Sequence, residues 1–184
     1  MNAFLVTTVL TVRVLQGQGQ GGPWDPAQNA TAQLVDERGA VVDRVPLDWA
    51  KATATRIRIR GIEHWLVEVD PQPEAGLYSG TTTYLATVER RRLRFVEAED
   101  KRIHLPRGPS ADWRYDPVEG FFFVESSFGV VDENDDIPRF VIYGHYSLEN
   151  GRWVRRERRH YAAPGEWLAW VRSVEPFPTR DAFP

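Results

Sequence analysis

"RFVIYGHYSLENGRWVRRERRHY", residues 139–161, decides how this chain is read. Asn150-Gly151 stands between two runs rich in β-branched and aromatic side chains, the strongest short signal for a type I′ hairpin. A two-residue turn fixes the register. It sets Glu149 opposite Arg152, Leu148 opposite Trp153, Tyr146 opposite Arg155, Ile142 opposite Arg159 and Phe140 opposite Tyr161. Side chains alternate between the two faces of a strand. One face therefore carries Phe140, Ile142, Leu148 and Trp153 and is expected to look toward a core. The other carries the pairs Glu149–Arg152, His145–Arg156 and Tyr143–Arg158 and is expected to be wet, with guanidinium–ring contact at Tyr143. Tyr143, His145, Arg156 and Arg158 are the candidate binding residues on that face. Glu157 and Arg159 fall on the inward face. Either they pair at a sheet edge or a bulge shifts the second strand.

The rest of the chain has the same character. Residues 31–45, "TAQLVDERGAVVDRV", read as a hairpin, with Gly39 supplying the left-handed position. Residues 56–69, "RIRIRGIEHWLVEV", alternate, with Ile57, Ile59, Trp65, Val67 and Val69 inward and Gly61 at a turn or bulge. Residues 81–98 read as a strand pair bent at Arg90 to Arg92. Phe121, Phe122 and Phe123 in succession cannot share one face, so a strand covered on both faces is expected there. The Gly/Gln/Pro stretch at 16–29 reads as a long surface connection. The prolines and glycine of 104–117 mark the one candidate internal boundary in what is otherwise a single domain, 1–184. Only "PGEWLAWVRSVEP", 164–176, has the spacing of a short helix, and a strand is the competing reading.

Composition bounds the function. With 184 residues, 42% of them hydrophobic, the chain buries a core without staples. There is no Cys, which removes disulfides, thiolate metal sites and a thiol nucleophile. All but two of the 23 basic residues are Arg, the exceptions being Lys51 and Lys101, and net charge is −3. The Arg-rich runs "ERRRLRF" and "RWVRRERRH" could form a platform for a polyanion, but the bulk field has the wrong sign for a general nucleic-acid binder. The opening residues read as a strand from Phe4 to Leu15, with no basic segment before the apolar run and no small-residue cleavage site of a signal peptide. No apolar run is long enough to span a membrane. Localisation stays unknown.

One acidic stretch carries a metal hypothesis. In "VVDENDDIPRF", 130–140, Asp132, Asn134 and Asp136 stand at positions one, three and five, a spacing that lets alternate oxygens converge on a hard cation. Residues 128–161 resemble the Asp-rich loop and following hairpin of integrin-type FG-GAP repeat proteins and related bacterial β-proteins. The resemblance implies a calcium loop. This chain departs from it in having Ile137 where the loop's glycine stands and Phe140 where its last carboxylate stands. Calcium is accordingly the only cofactor the sequence brings into view, and otherwise none is expected.

No nucleophile elbow, phosphate-cradling loop or metal-spaced histidine pair is present. The expected fold is all-β and antiparallel, a sandwich or a partly closed barrel. The expected function is a non-enzymatic binding domain whose partner is an unidentified protein or small molecule. Two alternatives stand beside it: a barrel enclosing a small apolar ligand, lined by Trp65, Trp153 and Trp167, and a hydrolase with spatially paired carboxylates.

Overall fold

The computed structural model describes residues 9–18, 21–22, 25–70, 80–108, 111–132 and 135–160; for 126–132, 135–140 and 160 it describes the strands and not the side chains. The expected helix at 164–176, Trp167 and the first residues of the expected opening strand lie outside these residues. Among the described residues the fold is three main antiparallel sheets, none closed into a barrel, and one short 3-10 turn at Pro26–Gln28.

The first sheet has three strands in the order β1 (Thr11–Leu15), β2 (Thr31–Val35) and β3 (Val41–Pro46). The turn between β2 and β3 is the expected one. Gly39 has φ +77° and donates to Asp36 O, and the Asp36 carboxylate accepts from Arg38 N and Ala40 N, each at 2.9 Å. An Asp at the head of such a turn satisfies N–H groups that no ladder reaches.

The second sheet is built on β4 (Lys51–Ile59), β5 (Ile62–Asp70) and β6 (Thr81–Glu89). The far edge of β6 is shared. Its second half pairs with β7 (Arg92–Phe95) and its first half with β10 (His104–Arg107). Between them the chain makes a small hairpin of β8 (Glu97–Ala98) and β9 (Lys101–Arg102). The sequence reading has the prolines of 104–117 interrupting any ladder there; Pro106 instead lies within β10. It faces Thr82 from a strand at the end of the sheet, a position a proline tolerates.

The third sheet runs β11 (Ala111–Asp116), β12 (Gly120–Asp132), β13 (Asp135–Glu149) and β14 (Arg152–His160). The β13–β14 register agrees with the sequence reading from Glu149↔Arg152 to Ile142↔Arg159, with no bulge in β14. The Phe140–Tyr161 pair lies outside the described residues.

The five-stranded second sheet lies between the other two, because its faces carry separate cores. Trp65, Val67, Val69 and Ala86 pack against Val12, Ala32 and Leu34 of the first sheet. On the opposite face Ile59, Leu85 and Leu105 pack with Trp113, Phe121, Phe123, Tyr146 and Leu148 of the third. This is why both halves of the β4–β5 hairpin look inward while using opposite faces. Trp65 and Trp153 consequently lie in different cores and cannot line one ligand cavity. The middle and third sheets are also tied by polar contacts: Arg60 N donates to Pro117 O at 2.8 Å, Arg60 Nε to Val118 O at 3.0 Å, and the Tyr115 hydroxyl to Arg58 O. The three phenylalanines behave as expected of a doubly covered strand. Phe121, Phe122 and Phe123 are each at most 3% exposed.

The Gly/Gln stretch begins as more than a surface connection. The Gln16 side-chain amide donates to Ala52 O at 2.7 Å and accepts from Ala52 N at 3.0 Å, as a neighbouring strand would. Gly17 N donates to Ala50 O at 2.7 Å, and a Cβ on Gly17 would collide with the backbone of Gln28 and Asn29. No helix among the described residues is long and apolar enough to cross a membrane.

Candidate functional site

The outer face of the third sheet, turned away from the shared core, gathers all four candidate binding residues. Strand registers put Arg114 opposite Phe122, Phe122 opposite His145 and His145 opposite Arg156. One row of side chains thus crosses four strands. The Arg114 guanidinium lies 4.9 Å from the Phe122 ring centroid. Phe122 and the His145 imidazole are stacked with centroids 4.2 Å apart and planes 4° from parallel. A second row beside it is Asp112, Val124, Tyr143 and Arg158.

This corrects one expectation. His145 does not sit on a wet face: it is 2% exposed, and Phe122 is 3% exposed. The hairpin alone leaves that face open; β12 brings a phenyl ring onto the imidazole, and the Arg114 guanidinium lies over that phenyl. His145 Nε2 stands 2.9 Å from Glu119 O. A carbonyl only accepts, so Nε2 carries a proton and the ring is locked to the β11–β12 turn. A buried, stacked imidazole with this nitrogen engaged acts as a strut and offers no approach to a reacting group. The same turn is held by Asp116, whose carboxylate accepts from Val118 N and Glu119 N at 2.8 Å each. Those two hydrogen bonds hold the Asp116 carboxyl below the usual carboxylate range.

Arg156 is clamped. Both guanidinium nitrogens reach Glu149, Nη2 at 2.8 Å to Oε2 and Nη1 to Oε1, and Nη1 also reaches Ser147 Oγ at 3.2 Å. Ser147 Oγ in turn donates to Glu149 Oε1 at 2.7 Å. This planar, bidentate geometry suits Arg and not Lys. Arg158 is exposed and Tyr143 half-buried beside it. Arg114, Phe122 and Ser147 were missed by sequence reasoning, and Glu149, read there as the partner of Arg152, holds Arg156 instead. The one available signal was the Phe triplet, which forces Phe122 to the face opposite Phe121.

The metal candidates lie at the far end of the same sheet. Asp132 ends β12 and pairs in the ladder with Asp135, and Asp136 pairs with Val130. Their side chains and the whole of Asn134 lie outside the described residues. The backbone around them is an antiparallel hairpin. Among the described residues no three His, Asp or Glu side chains are grouped to hold a metal.

Carboxylates also surround Tyr146 on the inner face. Burial first, then the charges of Glu125, Glu157 and Glu99, push its phenol up, against the opposing pull of Arg155. Glu157 is engaged by Arg155 at 2.9 Å and by Arg159 at 3.2 Å, which answers the sequence question: the inward-facing charges pair with one another. A carboxylate held by two guanidiniums is a poor partner for acid–base work.

No protein-family model matches the chain, and no curated protein or solved structure matches it either. The likeness to Asp-rich FG-GAP loops therefore rests on residues 128–161 alone.

Proposed function

We propose that this protein is a non-enzymatic binding domain that engages an acidic partner surface through the outer face of the third sheet. One observation carries the reading. The Arg114 guanidinium lies over the buried Phe122–His145 stack, and Arg156, the ladder partner of His145, is clamped by Glu149 and Ser147, so both are held in place by the fold before any partner arrives. Preorganised arginines beside a half-buried Tyr are the composition of interface anchors, because little side-chain entropy is left to lose on binding. The open sheets and the placement of Trp65 and Trp153 in separate cores weigh against a closed barrel around an apolar ligand.

The test is a titration with an acidic oligoglutamate peptide, followed by amide chemical shifts of the isotope-labelled protein. Shifts are expected at Tyr143, Arg156 and Arg158, and they should diminish in Arg158→Gln. A titration in which these amides stay still would overturn the proposal.

A further inference from the structure

A second basic surface lies elsewhere, at the turn joining β6 to β7. Arg90 and Arg91 form that turn, with φ +50° and +62°. The chain makes such turns in other places and fills them differently. Asn150–Gly151 uses the preferred pair, Arg60–Gly61 keeps a glycine at the second position, and Glu99–Asp100, which also lacks glycine, has at its second position an Asp, a residue that tolerates this region. Left-handed backbone is unfavourable for residues with a Cβ, and Asn, Asp and Gly tolerate it best. Two arginines are a poor choice for the fold. Strained positions of this kind gather where function needs the side chain.

What the side chains surround gives the reason. Glu89, Arg90, Arg92 and Arg94 line a recess of about 470 Å³ that opens to solvent. Glu89 and Arg92 pair across the ladder, and Arg94 lies two residues farther on the same face. Three arginines outnumber one carboxylate. Among the described residues, none of the three comes within 4.0 Å of a carboxylate oxygen. Elsewhere Arg56, Arg107, Arg155, Arg156 and Arg159 do so. The recess is thus a concave cluster of exposed guanidiniums without a carboxylate partner among the described residues, at the end of the β6–β7 hairpin. Guanidinium forks fit the oxygens of phosphate groups bidentately, and several together need a ligand with several negative charges.

We propose that this recess binds a multivalent phosphate-class oxyanion. The site is separate from the outer face of the third sheet and does not depend on that reading. Binding is electrostatic and weakens as ionic strength rises.

The experiment is calorimetric titration of the full chain at low salt with sodium tripolyphosphate and, in a second arm, with a short single-stranded oligonucleotide. Two variants accompany the wild type. Arg90→Asn/Arg91→Gly installs the residues the turn prefers, and Arg92→Gln/Arg94→Gln leaves the turn untouched. Saturable binding by the wild type is expected, about tenfold weaker in each variant. Arg90→Asn/Arg91→Gly should at the same time melt higher by roughly 2–4 °C, so lost binding cannot be lost folding. Tighter binding of tripolyphosphate assigns the site to a small polyphosphate, and tighter binding of the oligonucleotide assigns it to a nucleic-acid backbone. No saturable binding of either probe, or undiminished binding by both variants, overturns the proposal.

Discussion

The Phe123 ring lies across Gly144, the residue it faces between β12 and β13. A Cβ on Gly144 would fall well inside 3.0 Å of the ring's Cζ, Cε1 and Cε2. The ring cannot step aside, since it is 1% exposed, stacked on Tyr146 at 5.1 Å and covered by the Arg155 guanidinium at 5.1 Å. A glycine in mid-strand is usually a weakness. Here its missing side chain is the seat of a neighbour's ring.

Gly144→Ala is therefore expected to destabilise the protein by about 1–3 kcal/mol, the usual cost of overfilling a packed core. Urea unfolding should show a lower midpoint at an unchanged slope. Pairing it with Phe123→Leu, which withdraws the ring's far edge, should recover part of the loss. A Gly144→Ala protein as stable as the wild type would mean that the ring has room the packing denies it.

Gln16 closes part of an edge. Its amide takes both the N–H and the C=O of Ala52, and Ala52 is 5% exposed. Gln16→Ala leaves two backbone groups without that partner. The expected loss is about 1–3 kcal/mol, together with more light scattering at high concentration as the strand edge opens. Gln16→Glu tests the same contact differently. A carboxylate can still accept from Ala52 N but cannot donate to Ala52 O, so it should recover only part of the stability.

Much of this architecture is legible locally. Asn150-Gly151 determines the β13–β14 register residue by residue, and Gly39 and Gly61 mark their turns because each needs positive φ. What the sequence hides is which layer covers which face. Ile57 and Trp65 both read as inward, yet they enter different cores, since the sheet that carries them is covered twice. The burial of His145 depends on Phe122 arriving from another strand. The turn at Glu99–Asp100 was invisible for a different reason. Neither residue is glycine, and the strands it joins have two residues each, too short for alternation to register.

The acidic hairpin invites a metal test. Asp132 and Asp136 belong to paired strands, and the glycine and final carboxylate of a calcium loop are absent from the sequence. Calcium at millimolar concentration is expected to leave the melting temperature unchanged to within about 1 °C. A ligand that binds only the folded state with useful affinity must raise it. A saturable rise that Asp132→Asn abolishes would restore the calcium reading.

His64 gives the fold a dependence on pH. It is 3% exposed, donates from Nδ1 to Ile62 O at 3.0 Å, and meets Trp153 edge-to-face at 5.7 Å, so it helps join the middle and third sheets. Burial lowers its pKa below the ordinary 6.5, against the smaller opposing effect of the Ile62 carbonyl. The folded protein thus holds His64 neutral at pH values where the unfolded chain has already bound a proton. Unfolding takes up that proton, so stability is intact above about pH 6.5 and falls as the pH drops from there toward the folded-state value. His64→Asn keeps a donor for the Ile62 carbonyl and cannot titrate. It should be less stable than the wild type at pH 8, having lost ring packing, but should lose less on acidification to pH 5. Chemical unfolding of both proteins across that range separates the two effects. Parallel stability curves would show that His64 takes up no extra proton when the protein unfolds.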